Sequence, residues 1–187
     1  MLPSRGRILA VLLSVFCASA IAAAALEAEP AIMLEFSLTP FRGSIVSAGS
    51  FLGGGIIALI VCGALARQFG SRRTEIAFAA LMVATLSCGI AWAFPLLALG
   101  RAAQGFSMML VAIFAMGFVA IEFPAEKRIG WLGFVTIMLA LGGFAGGLFG
   151  ALMFETLTWR WCFLATLPIA VAIFVLLCAS PARQRQA

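Results

Sequence analysis

The chain has 187 residues, of which 64% are hydrophobic and only 10% charged, with a formal net charge of +5 and neither His nor Tyr. Soluble domains run about 45–50% apolar and about 25% charged, which sets a water-soluble globular fold aside. The basic excess does not point to nucleic acid, because the charges sit in short clusters between apolar runs and not along one face.

Read with a membrane-length window, the chain gives six predicted helices. They run roughly Ile8–Leu26, Ile45–Ala66, Ile76–Phe94, Leu96–Ile121, Ile129–Phe154 and Trp161–Ser180. About 20 residues cross the hydrocarbon core, and each of the six is about that long. The runs are continuous and lack the alternation of a membrane strand. Pro30 and Pro40 punctuate the segment after the first span, and Phe94–Pro95 marks a tight turn between the third and fourth. The domain expected is 1–182, followed by a polar cytoplasmic tail, 183–187.

Orientation follows the bias of Lys and Arg among the loops. Arg5, Arg7, Arg67, Arg72, Arg73, Lys127, Arg128, Arg183 and Arg185 fall on one side, against Arg42 and Arg160 on the other. Both termini are therefore expected in the cytoplasm of a multi-pass cell (inner) membrane protein, with Glu27, Glu29 and Glu35 outside. The first 20 residues also have the layout of a secretory signal. Their apolar run continues to Leu26, however, which favours a retained span.

Metal and enzyme chemistry find little support. Cys17, Cys62, Cys88, Cys162 and Cys178 all lie in apolar runs without metal-ligand spacing, and no metal or cofactor is expected. There is no H-E-x-x-H, nucleophile elbow or dinucleotide fingerprint, so the chain does not read as an enzyme.

Four stretches carry more information. In the fourth span, Arg101 and Gln104 lie three residues apart and so project from one helix face. A charge near mid-bilayer costs at least about 2.5–3.5 kcal/mol on insertion scales, so that face should line protein or a wet cavity. Between spans two and three, Gly63 to Glu75 holds glycines suited to a tight turn, with Arg67, Arg72 and Arg73 as orientation anchors. In span five, Gly142, Gly146 and Gly150 recur every four residues beside Gly143 and Gly147, a pattern that lets helix backbones approach closely. Trp159, Arg160, Trp161, Phe163 and Pro168 open the sixth span.

Taken in order, these stretches resemble the major facilitator superfamily. Leu97, Arg101, Gln104 and Gly105 fit its L-x-x-x-R-x-x-Q-G pattern. Gly63, Leu65, Ala66, Gly70, Arg72 and Arg73 fit its loop signature, although Arg67 stands where an acid is usual. Gly142, Gly146 and Gly147 fit the antiporter G-P-x-x-G-G, with Gly143 in place of Pro. The aromatic–Pro and basic pair of Phe123, Pro124, Lys127 and Arg128, together with the Trp159–Pro168 string, resemble the fourteen-helix EmrB/QacA-type drug:proton antiporters.

The resemblance implies an all-α integral membrane protein, the N-terminal six-helix half bundle built as a 3+3 inverted repeat. It also implies efflux-type secondary transport of small amphipathic compounds, with a link to drug resistance. Arg101, Gln104 and Gly105 would belong to the transport cavity and its proton-linked motif. Gly63, Arg67, Gly70, Arg72 and Arg73 would form the cytoplasmic gate loop, and Gly142, Gly143, Gly146, Gly147 and Gly150 would let span five slide against a neighbour. No carboxylate lies within the six spans, and Arg101 cannot itself release protons. The partners expected are the lipid bilayer, a small-molecule substrate, and either a second copy of the chain or a separately encoded second half. The alternative is a non-transporting remnant or an assembly subunit. A faint repeat trace is "GAL" at Gly63–Leu65 and again at Gly150–Leu152.

Overall fold

The computed structural model describes residues 4–69 and 72–180, so Gly70, Arg183, Arg185 and the tail 183–187 lie outside the described residues. Among the described residues the structure is helical, with no strand. Helix α1, Arg5–Glu27, starts at Ser4, whose hydroxyl accepts from the Arg7 N–H at 3.3 Å and satisfies one of the orphan donors of the first turn. A short helix α2, Glu29–Glu35, follows, and Ser37, two residues beyond it, has a φ of 51°. Helix α3, Pro40–Ser44, passes through a π-helical turn, Ile45–Gly49, into α4, Ser50–Phe69.

Helix α5, Arg73–Gly89, is shorter than the third predicted span and ends before Phe94. The turn lies at 90–93, and Phe94 instead opens α6, Phe94–Glu122, with Pro95 in the first turn, where its missing N–H costs nothing. Helix α7 runs Ala125–Thr156. The sixth predicted span is broken into α8, Trp161–Leu164, and α9, Leu167–Ala179. Pro168 explains the break, since it has no N–H to offer the carbonyl four residues back. Five stretches are long and apolar enough to cross a membrane: Arg5–Glu27, Ser50–Gln68, Phe94–Glu122, Ala125–Thr156 and Trp161–Ala179. With its 17 residues, α5 completes the bundle.

Two helix pairs are the most extensive, α1 with α7 and α4 with α6. Both are closed by glycine. A Cβ at Gly142, Gly146 or Gly150 would overlap the α1 backbone at Phe16, Ala20 or Ala24 in turn. Likewise a Cβ at Gly54 would overlap the Ala102 carbonyl, and one at Gly105 the Phe51 carbonyl. Exchanging the first three spans with the last three turns one pair into the other, which is the relation expected of a 3+3 repeat. The "GAL" trace does not share that relation in its surroundings. Gly150 is pressed on Ala24, whereas a Cβ at Gly63 would meet nothing within 4 Å.

Opposite ends of the bundle are tied by different ion pairs. At one end Arg7 of α1 meets Glu75 of α5 at 2.6 Å, and the same guanidinium nitrogen donates to the Leu177 and Ser180 carbonyls at the close of α9. At the other, Arg160 pairs with Glu35 at 2.7 Å and donates to the Ala91 carbonyl after α5. Between these ends, Val11, Val15, Phe78, Leu81, Phe114 and Leu177 fill the main core.

Candidate functional site

Arg101 and Gln104 face inward from α6. Arg101 is 2% exposed and Gln104 fully buried. Arg101 Nη1 donates to Gln104 Oε1 at 2.5 Å, and the Gln104 amide donates to Thr85 Oγ1 of α5 at 3.1 Å. Thr85 in turn donates to the Leu81 carbonyl at 2.8 Å. The Arg101 guanidinium also lies 4.8 Å from the centroid of the Phe51 ring on α4, a favourable cation–π arrangement. Gly105 makes that arrangement possible. Only a glycine lets α4 come so close that the Phe51 carbonyl sits where a Cβ would be.

Beside Arg101 lies a cavity of about 320 Å³, lined by Ser19, Ala22, Ala23 and Leu26 of α1 and by Phe51 and Leu52 of α4. Three spans therefore meet there, with Arg101 as the charged wall. The π-helical turn contributes Ala48 to the same cavity. Such turns shift the register of the side chains that follow.

The acids nearest this face stand at its end. The Glu29 carboxylate accepts from Ser44 Oγ at 3.2 Å. Glu27 closes α1 beside Gly147, whose Cβ would lie 3.9 Å from Glu27 Oε1. The five glycines of span five thus divide. Gly142, Gly146 and Gly150 press on the α1 backbone, while Gly143 and Gly147 face Ser19 and Glu27 at ordinary contact distance.

The loop residues are spread out. Gly63 sits inside α4 and makes no turn, Arg67 is in the last turn of α4, Arg72 caps α5 and Arg73 opens it. Arg73 reaches across to the Phe114 ring of α6, 6.0 Å from its centroid. Beyond α6, Phe123 stacks on Trp131 with centroids 4.7 Å apart, and Arg128 donates to the Phe123 carbonyl.

Three residues escape sequence reading. Thr85 belongs to no motif, and Glu75 looks like a loop acid yet is buried against Arg7. Glu35 accepts from Trp159 Nε1 at 2.5 Å as well as from Arg160, and these donors hold its carboxyl below the usual carboxylate range. A hint for Glu35 existed in the Trp159–Arg160 pair, two donors side by side that suit a carboxylate.

Residues 8–186 match the sequence model of the Major Facilitator Superfamily. The chain belongs to that superfamily. It is 29% identical over 155 residues to the Mycobacterium tuberculosis protein named "Uncharacterized MFS-type transporter EfpA", covering 81% of this chain and 29% of that protein. Against the Arabidopsis thaliana "Probable sphingolipid transporter spinster homolog 1" it is 27% identical over 161 residues, covering 84% and 32%. A crystal structure of a bacterial homologue of the human lysosomal transporter Spinster, inward-facing and unoccupied, superposes with a TM-score of 0.75. Identity there is 18%, over 96% of this chain and 45% of that one, which establishes the fold. The chain spans under a third of these curated relatives and under half of the Spinster homologue. As a superfamily member with several apolar helices of spanning length, it is an integral membrane protein from a family of transporters.

Proposed function

We propose that the chain provides one half of the substrate cavity of an efflux-type secondary transporter for small amphipathic compounds, working by alternating access. The observation that carries this reading is Arg101, buried in the bundle and facing a cavity between α1, α4 and α6. A buried cation is retained in a membrane helix where it faces protein or water and acts on a substrate or a proton. Phe51, Leu52 and the alanines of α1 give the cavity an apolar lining beside that charge, which suits a compound with both characters.

Within this reading the chain belongs with the EmrB/QacA-type drug:proton antiporters, and, with no carboxylate in its six predicted spans, the coupling acid comes from the second half. The end bearing Arg7, Arg67, Arg72, Arg73, Lys127 and Arg128 faces the cytoplasm of the inner membrane, following the bias of positive charge. Arg67, Arg72 and Arg73, with Gly63, hold the gate there, and the Gly142–Gly146–Gly150 row lets α7 slide along α1. The second half is a second copy or a separate chain. It would cover α4 and α7, the spans whose apolar side chains, among them Ile60 and Phe144, stand most exposed.

Flux of a fluorescent amphipathic cation through proteoliposomes tests the proposal. Flux above that of empty vesicles, abolished by Arg101→Ala, is expected. Flux equal to empty vesicles for the unaltered chain and for its crosslinked assembly would assign it a non-transporting role.

A further inference from the structure

We propose that Thr85 is the positioning residue of the cavity: it fixes the Gln104 amide so that the carbonyl oxygen, and not the NH2, faces Arg101. The inference rests on the reading of Arg101 as the cavity cation. Thr85 is fully buried on α5, and its side chain is not part of the cavity lining.

A threonine hydroxyl has one proton and two lone pairs. The proton of Thr85 goes to the Leu81 carbonyl at 2.8 Å, a bond to the preceding turn common for threonine in helices. Only lone pairs are then left to face Gln104, 3.1 Å away, and only the amide NH2 can meet them. Oε1 is thereby turned to Arg101 Nη1, at 2.5 Å. The donors run in one direction, from the guanidinium through the amide and hydroxyl to a backbone carbonyl of α5. A reversed amide would set N–H donors against a guanidinium that has no acceptor, and its oxygen against a hydroxyl whose proton is in use. Both mismatches would be buried, where an unmade hydrogen bond is costly.

The test reads Arg101 directly. The chain is labelled with 15N-arginine and placed in lipid nanodiscs, and the Arg101 guanidinium signal is assigned by its loss in Arg101→Lys. Thr85→Val removes the hydroxyl at equal volume, Thr85→Ala does so with a smaller side chain, and Thr85→Ser keeps it. Both hydroxyl-free variants should shift the Nη signal and speed its proton exchange about tenfold, the size of one lost buried hydrogen bond. Thr85→Ser should restore the native signal. In a Gln104→Met background Thr85→Val should change nothing further, because Thr85 acts through Gln104. An unmoved Arg101 signal in Thr85→Val and Thr85→Ala overturns the proposal, as does an equal change in the Gln104→Met background. Flux separates the two readings. A shifted signal with unchanged flux upholds Thr85 as the positioning residue and counts against the cavity assignment, whereas lost flux with an unmoved signal overturns the positioning role alone.

Discussion

Arg101 is the residue at which stability and function pull apart. Its burial within a membrane bundle costs at least about 2.5–3.5 kcal/mol on insertion scales, offset here by the Gln104 carbonyl and the Phe51 ring. Arg101→Met keeps the length of the side chain and removes the charge. Its thermal unfolding midpoint should equal or exceed that of the unaltered chain while flux disappears. A markedly lower midpoint would make Arg101 a structural residue.

Glu35 behaves differently because it lies outside the spans. Its folded carboxyl is held below the ordinary range by Arg160 and Trp159. The stabilisation is therefore complete above pH about 4.3 and is lost as pH falls through the folded value. Unfolding midpoints should be flat from neutral pH down to that range and then fall, and Glu35→Gln should flatten the fall. The Arg101–Gln104 pair was legible in sequence, since a spacing of three already places both on one helix face. Thr85 was not, because nothing local marks which of many hydroxyls in apolar helices will meet an amide 19 residues away.

At the scale of the element, the glycine row gives a sharp contrast. Gly146→Ala would push a methyl group into the Ala20 backbone, and backbone cannot swing aside as a side chain can. Overpacking costs about 1–3 kcal/mol, more than the roughly 1 kcal/mol that alanine gains over glycine in a helix. Gly143→Ala meets only Ser19 Oγ at 3.4 Å and should be neutral or slightly stabilising. Thermal unfolding of the two variants checks the pair, and equal effects would mean that α1 and α7 do not meet along the row. The four-residue period made the stripe visible in sequence. Which of its two parallel rows touches a neighbour, and that the neighbour is α1, is set by tertiary packing that no local pattern encodes. Span boundaries show the same limit. Hydropathy continues smoothly through Ile90–Phe94 and through Ala165–Thr166, but α5 stops at Gly89 and the last span breaks ahead of Pro168.

For the whole molecule, the two ends are held by pairs that join residues far apart in the chain, Arg7 with Glu75 and Glu35 with Arg160. The first is buried, with side chains only 4% and 11% exposed. Removing one partner of a buried pair typically costs about 3–5 kcal/mol, because the other charge is stranded. Arg7→Met should therefore unfold much more easily, and Arg7→Met combined with Glu75→Gln should recover a good part of the loss, as measured by thermal unfolding in detergent. Additive losses would show that the pair does not hold the end of the bundle.

The substrate cavity proposed beside Arg101, between α1, α4 and α6, must admit water, whereas the groove between α1, α7 and α9 is lined by side chains such as Phe16, Phe149 and Ile169. Cysteine labelling tests it most directly. With the five native cysteines replaced, Ala23→Cys on the cavity wall and Ala145→Cys on the groove between α1, α7 and α9 are treated with a charged thiol reagent in membranes. Rapid labelling at position 23, slowed by an amphipathic cation, and none at position 145 are expected. Equal labelling at the two positions, or protection of position 23 without the cation, would contradict it.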